Sequence, residues 1–332
     1  MTSDLKSVLL KTRLCKYLES HELDILLGYS KVLEFNDHTF ILHQGKPSHG
    51  IFIIISGKVA VTAKVLGAGV IHLVAVEGGG FVGEGGLHEN AINTVSVVSQ
   101  MKTECLFVPN AYFYMLTLFS PETKARINRA MAEDAVFRLK SRHEKITAFM
   151  AEAKMTSSSM FGEVIHSLSR PKEITLGDAG ISMDHMRGLD FFRELSDENF
   201  AFILQHGAFY EAGRHCTLIK EGETDLACYL ILRGAVQSRI KQSHKIAKLS
   251  VLPPQSIFCC VSYIDDNASF IDFTTCERTI FLKISEEKLA ELKKNNMAVW
   301  YYLYDAICKS FARLEQAANK LDIRLNSELY NR

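Results

Sequence analysis

The sequence predicts an α+β chain of two tandem jelly-roll-like β-barrels, each with short helices before it and a long helix after it. Three observations predict this. A block of helix, strand, glycine turn and strand occurs twice. Short apolar strands recur every 8–12 residues between glycine turns, the pattern of a barrel or sandwich rather than a parallel sheet. Each half then closes with a helical stretch, about 121–153 and about 285–329.

The repeat opens on helices. Residues 14–35 and 189–210 each read as a short helix ending in Leu, followed by a second amphipathic helix that Ser20 or Ser196 can cap, with Glu22, or Asp197 and Glu198, in its first turn. The strand blocks follow. Residues 39–59 run from Thr39 through Gly45 and an Ile51–Ile55 strand to Gly57 and Val59; residues 217–236 run from Thr217 through Gly222 and a Tyr229–Leu232 strand to Gly234 and Val236. In the last helix Trp300, Leu303, Ile307, Phe311, Leu314, Ala318, Leu321 and Leu325 fall three or four apart, one stripe that either packs on its own domain or meets a partner. The expected domains are 8–153 and 188–330. Residues 154–187 are a linker without periodicity, in which Phe161-Gly162-Glu163 is a chance match to a motif described below.

Composition narrows the function. Basic and acidic side chains number 38 each, and the halves 1–155 and 156–332 are nearly balanced at 17 to 15 and 21 to 23. No basic module is present to neutralise nucleic-acid phosphates or anchor at an anionic membrane. The longest aliphatic runs fall far short of the ~18 residues of a span, and the N-terminus has no apolar signal core, so a cytoplasmic setting is expected. The eight cysteines include no C-x-x-C pair and read as reduced, buried small hydrophobes.

The repeated glycines and strand residues resemble the cyclic-nucleotide-binding domain family. The matching residues are Phe35, Ile41, Gln44, Gly45, Ile51, Phe52, Ile53, Gly57 and Val59 in the first copy, and Leu218, Glu221, Gly222, Tyr229, Ile231, Gly234 and Val236 in the second. Two copies in tandem look like kinase regulatory subunits; the strand sequence looks more like the sensor domain of bacterial catabolite activators. The resemblance implies a phosphate-binding cassette after the sixth strand: Phe-Gly-Glu, a few apolar residues, and an Arg nine after the Glu. In it, helix N-terminal amides face the cyclic phosphate, the Glu accepts the ribose hydroxyl, and the Arg makes a charge-assisted bond to the phosphate.

The first copy keeps part of this. Gly83, Glu84, Gly85, Gly86 and Leu87 stand at the cassette start, but Asn93 stands at the arginine position, followed by Thr94, Val95 and Ser96. No Lys or Arg lies between Lys64 and Lys102. Losing a charge-assisted bond removes roughly 1.5–3 kcal/mol. The implied ligand is therefore cyclic AMP or cyclic GMP held weakly, or a neutral purine nucleoside. The second copy places Cys259 and Cys260 at the Gly and Glu and Ser269 at the Arg, with Asp265, Asp266 and Asp272 expected to repel a phosphate.

Other letter matches fail in context. Gly78, Gly80 and Gly83 spell G-x-G-x-x-G, but too few residues follow for a crossover helix, and Glu84 stands where a P-loop needs Lys. His38, His43 and His49 have no metal-ligand spacing. The sequence implies no enzyme, no metal and no resident cofactor. Two readings stand: a regulatory protein sensing a purine ligand through its first roll, with Phe137, Ile146 or Phe149 as candidate lids and a protein partner downstream; or a ligand-free scaffold that uses its rolls and C-terminal helix to bind a protein.

Overall fold

A computed structural model describes residues 6, 9, 12–65, 69–86, 92–152, 161–163, 170–243 and 245–330, with the backbone alone at 152, 161–163 and 327–330. It divides into two compact units, 1–138 with 318–332, and 139–317. Each holds one roll.

In the first unit a 3-10 turn (Arg13–Lys16) and helix α1 (Ser20–Tyr29) precede eight strands: β1 (Lys31–Phe35), β2 (Phe40–Leu42), β3 (Gly50–Ser56), β4 (Lys58–Val65), β5 (Gly69–Glu77), β6 (Phe81–Val82), β7 (Ser96–Ser99) and β8 (Thr103–Pro109). They form two four-stranded antiparallel sheets, ordered β1-β8-β3-β6 and β2-β7-β4-β5. Helices α2 (Asn110–Phe119) and α3 (Pro121–Glu152) follow. Strand β3 shows how the layers arise. Successive side chains of a strand point to opposite faces. Ile51, Ile53 and Ile55 join the cluster of Leu14, Leu23, Tyr112, Ile127 and Met131 from the helices. Phe52 and Ile54 instead face the roll interior with Leu42, Val59, Val61, Leu73, Val82 and Val97.

The second unit begins within α3 and repeats the plan with two additions. Its strands are β9 (Phe161–Glu163), β10 (Lys172–Ile174), β11 (Ala208–Ala212), β12 (Thr217–Ile219), β13 (Cys228–Arg233), β14 (Val236–Gln242), β15 (Lys245–Leu252), β16 (Ile257–Cys259), β17 (Asp272–Thr275) and β18 (Thr279–Ile284). The sheet orders are β10-β11-β18-β13-β16 and β12-β17-β14-β15-β9. Strands β11 to β18 reproduce β1 to β8 in order and pairing; β9 and β10 are extra edge strands. The stretch expected as an aperiodic linker therefore supplies two strands and the short helix α4 (Met183–Arg187), and Phe161-Gly162-Glu163 is strand, not cassette.

Helices α5 (Asp190–Arg193) and α6 (Asp197–His206) precede the second roll, α7 (Ser262–Asp265) lies within it, and α8 (Glu286–Asn295) and α9 (Met297–Tyr330) end the chain. Three local expectations need correction. The final helical stretch is two helices, because Asn296 leaves helical geometry and bonds both ways: its Nδ2 donates to Asn199 Oδ1 and its Oδ1 accepts from Val299 N–H. Ser196 caps α6 as expected, but α1 is capped by Glu19, whose carboxylate and that of Glu22 form a reciprocal capping box. The helix α2 was not foreseen. The apolar stripe of α9 is buried from Trp300 to Leu325, so it packs within the chain and is not offered to a partner.

The repeat is exact in its turns. At Gly57 and Gly234 φ is +91° and +88°, and a Cβ would lie 2.6 Å from Thr103 Oγ1 or from Arg278 O. His38 and His215 both sit in left-handed turns, with N–H groups donating to Ser99 O and Thr275 O. Alanine at Gly57 or Gly234 is expected to cost at least about 1–3 kcal/mol, since it adds backbone strain to a clash with backbone; urea melts of each variant measure this.

Helix α1 is fastened to α3 by charge. Glu22 is buried and accepts from Thr123 Oγ1 and, at 2.8 Å, from Arg126 Nη1. Burial alone would raise its pKa; the bonds from Thr123, the Glu19 N–H and Arg126 outweigh that and hold it below the usual range. A depressed carboxylate stabilises above its unfolded pKa and loses that contribution as pH falls through the folded value. Glu22→Gln should therefore be less stable than the parent at pH 7. The gap should narrow as pH falls from the ordinary glutamate range, about 4.3, through the lower folded value, and close below it, in denaturant melts across acid to neutral pH.

Candidate functional site

The first cassette starts where β6 ends. Gly83 turns the chain there at φ +90°, a left-handed conformation, with its Cβ position only 3.1 Å from Gly50 O and Leu42 Cδ1. Glu84, Gly85 and Gly86 form a 3-10 turn. Leu87 lies outside the described residues. Asn93 is held by its backbone, Gly45 N–H donating to Asn93 O at 2.8 Å and Asn93 N–H to Lys46 O at 2.9 Å. Thr94 and Val95 are half-buried bends, and Ser96 opens β7, its Oγ accepting from Gln44 N–H at 3.0 Å. The sequence-selected residues thus flank one roll, Glu84 at the end of β6 and Asn93 to Ser96 at the start of β7.

Glu84 is 9% exposed and is paired with a residue that sequence reasoning missed. Arg138 of α3, 6% exposed, donates from Nη2 to Glu84 Oε1. The same guanidinium donates from Nη1 to Asp134 Oδ2 and, at 3.0 Å, to Phe81 O. Asp134, also buried, accepts from Phe81 N–H at 3.2 Å, and Arg13 Nε approaches its other oxygen at 3.7 Å. Phe81 is thereby bonded through both its N–H and its carbonyl to one helix turn, three residues before the cassette glutamate. In sequence Asp134 and Arg138 look like any i,i+4 pair on a solvated helix face; only the fold shows that they face β6.

The candidate lids separate. Phe137 is 60% exposed with the Arg13 guanidinium 4.9 Å above its ring, whereas Ile146 is buried core.

The second roll carries the same backbone and different chemistry. Gly222 N–H donates to Ser269 O and Ser269 N–H to Glu223 O, reproducing the bonds of Asn93. Cys259, however, stays in the ladder opposite Cys228, so the chain does not turn where Gly83 turns. Cys260 contacts Ser262 Oγ through its sulfur at 2.6 Å, and burial raises the Cys259 thiol pKa. Tyr229, Phe258 and Phe273 stack at 4.9 and 4.8 Å, at places where the first roll has Phe52, Val82 and Val97. Asp272 does not act as the free negative charge expected. It is buried and ion-paired with Lys241 and, at 3.4 Å, with Arg239, and it accepts from Glu221 N–H at 2.7 Å. A polar recess of about 480 Å³ beside β10, lined by Arg170, Lys172, Glu173, Asp178 and Glu211, holds none of the selected residues.

Among the described residues no helix is long and apolar enough to cross a membrane. Residues 32–118 match the family model described as Cyclic nucleotide-binding domain. No curated protein matches the chain in sequence. Among solved structures, the chain is similar to the regulatory domain of Toxoplasma gondii PKA with cAMP, at 10% identity over 91% of this chain and 94% of that one, with a TM-score of 0.33. It is also similar to the regulatory subunit of a cAMP-independent protein kinase A from Trypanosoma cruzi bound to guanosine, at 12% identity over 93% and 92%, with a TM-score of 0.30. A cyclic nucleotide-binding domain from Methylobacillus flagellatus is similar at 17% identity over 49% and 86%, with a TM-score of 0.39.

Removing Arg138 leaves two buried carboxylates without their shared cation. Breaking a buried pair from one side costs about 3–5 kcal/mol. Arg138→Met should lose about that much in denaturant melts, and adding Glu84→Gln and Asp134→Asn should restore part of it.

Proposed function

We propose, from the premise that residues 32–118 form a cyclic-nucleotide-binding domain, that this protein is a non-enzymatic regulator whose first roll senses a purine ribonucleoside in preference to its cyclic phosphate. The observation that carries this reading is the charge arrangement at the cassette. Glu84 is kept at the end of β6 by a buried guanidinium, while Asn93 stands at the position from which an arginine would meet a phosphate. A carboxylate offers about four lone-pair sites, so a ribose hydroxyl can donate to Glu84 alongside Arg138. The backbone and hydroxyls of Gly83 to Gly86 and Asn93 to Ser96 are neutral donors and acceptors for the rest of the ligand. A phosphate would bring a charge that no Lys or Arg between Lys64 and Lys102 is there to meet.

The same arrangement gives the signal a route. A ligand that bonds Glu84 alters the acceptor of Arg138, and Arg138 belongs to the helix Pro121–Glu152, which then reports occupancy to a protein partner. The second roll, its interior taken by its own aromatics, is a structural repeat rather than a second sensor. Such a regulator works in the cytoplasm.

Calorimetry and thermal shift with adenosine, guanosine, inosine, cyclic AMP and cyclic GMP test this, because a ligand bound only by the folded state raises the melting temperature. A nucleoside should bind roughly 10- to 150-fold more tightly than its cyclic phosphate, the worth of one charge-assisted bond. Glu84→Ala should abolish binding, and Asn93→Arg should move the preference toward the cyclic nucleotide. Tighter binding of cyclic AMP than adenosine by the parent chain overturns the neutral-ligand reading; no shift with any of the five leaves the scaffold.

A further inference from the structure

The charges on one face of the second roll do not balance. Asp272 of β17 lies directly opposite Arg239 of β14, and Arg239 lies directly opposite Lys248 of β15. Opposed residues of antiparallel strands share a face, and Lys241, two residues beyond Arg239, points the same way. This is not the face of the stacked aromatics, since Phe273 follows Asp272 and points to the other side, onto Phe258. Three cations therefore share a face with one carboxylate. The exposed Glu221, whose N–H is bonded to Asp272, supplies at most a second. Asp272 is already committed: Oδ1 accepts from the Glu221 N–H at 2.7 Å, and Oδ2 from Lys241 Nζ. Arg239 reaches Oδ2 only through Nε, at 3.4 Å, where a good charge-assisted bond measures about 2.7–2.9 Å. Among the described residues nothing accepts from its Nη1 or Nη2, although Arg239 is 3% exposed. Buried donors without acceptors are costly, and buried charges are ordinarily paired. Lys248 is exposed, and like charges placed directly opposite each other repel. The fold does not demand this arrangement. At the same places in the first roll Thr62 lies opposite both His72 and Ser96, with no formal charge among the three.

We infer that this face of the second roll is a binding site for an oxyanion of the phosphate class, held by the Nη1–Nη2 edge of Arg239 with Lys241 and Lys248 beside it. The edge of a guanidinium presents parallel N–H donors that match two oxygens of one phosphate. Lys241 keeps 18% of its side chain exposed, which opens the cluster to solvent beside Arg239. Phosphate suits the site better than a carboxylate. Cations exceed carboxylates here by at least one even with Glu221 ionised, and a phosphate monoester carries about −1.5 to −2 at neutral pH. The site is independent of the purine-ribonucleoside reading, which concerns the other roll.

Calorimetry and thermal shift of the full chain in Tris chloride at constant ionic strength test this, with inorganic phosphate, methyl phosphate and acetate as probes. Inorganic phosphate should bind once per chain and raise the melting temperature, and added chloride should not. Tighter binding of methyl phosphate would support the site and mark an ester as its occupant; tighter binding of inorganic phosphate would support it and mark the free ion. Arg239→Met should weaken phosphate binding by about ten-fold or more, the worth of one charge-assisted bond. Lys248→Met, at an exposed position, should weaken it less, and it alone decides if Arg239→Met does not fold. Stability separates the site from a structural ion pair. Arg239→Met should lose most of its stability difference from the parent when phosphate is left out, whereas a structural partner of Asp272 would cost the same with and without phosphate. Absence of saturable phosphate binding, equal binding of acetate, or an affinity unchanged by the substitutions overturns the inference.

Discussion

The first roll depends on one buried cation. Arg138 reaches Glu84, Asp134 and the carbonyl of Phe81, and Asp134 returns a bond to the Phe81 N–H, so the strand leading into the cassette and one turn of a long helix share a closed set of hydrogen bonds. Burying a single unpaired charge is costly unless an opposite charge and hydrogen bonds compensate it. Two carboxylates and one guanidinium, each below a tenth exposed, compensate one another here, with the half-exposed Arg13 beside them. The position of Glu84 is thus conditional on the helix, and the helix position on the cassette. A buried ionic set of this kind adds little net stability but makes alternatives costly. That is what a site needs if ligand binding there is to be felt elsewhere.

Comparison of the rolls separates what the fold requires from what the site requires. Gly57 and Gly234 are the same because backbone at the start of β8 or β18 leaves no room for a side chain. The backbone ties of Asn93 and Ser269 are the same because both close the roll opposite Gly45 and Gly222. One further bond persists while its chemistry changes. Gln44 N–H donates to Ser96 Oγ, and Glu221 N–H donates to Asp272 Oδ1. In the second roll that substitution brought a buried carboxylate, and Arg239 and Lys241 stand on the neighbouring strand to neutralise it. Residues that serve pairing and turns are kept in both rolls. Of the positions the resemblance assigns to a ligand, Gly83 and Glu84 stand in the first roll where Cys259 and Cys260 stand in the second, in which Tyr229, Phe258 and Phe273 stack.

Most of the fold was legible because it is written in local spacing. Short apolar runs, the glycine turns and the repeat itself mark two rolls and the strand blocks of 39–59 and 217–236 without knowledge of their partners. What was not legible depends on distant partners. Strands β9 and β10 are too short for a period to register, and exist because sheet edges are there to pair with. Asp272 read as a bare charge because its cations lie on another strand. Arg138 read as one of several arginines on a polar helix because the residue it serves is Glu84, 54 positions away. Spacing shows which residues can form a cassette turn, but the ionisation and reach of a buried carboxylate are set by whatever packs against it.

This bears on how the proposed sensing could work without the arginine that the family resemblance implies. A ligand shifts an equilibrium only by its difference in affinity for two states, so the signal must pass through a group whose bonds differ between them. In the proposed function that group is Glu84, which Arg138 bonds, and not the residue at position 93. The Asn93 backbone is tied to Gly45 and Lys46 within the roll. Glu84 is bonded to Arg138 of the helix Pro121–Glu152. In the proposed function the residue at position 93 would select the ligand, whereas the pair Glu84–Arg138 would carry the consequence of its arrival. The two properties could then vary separately, and a change from phosphate to neutral ligand would not cost the coupling.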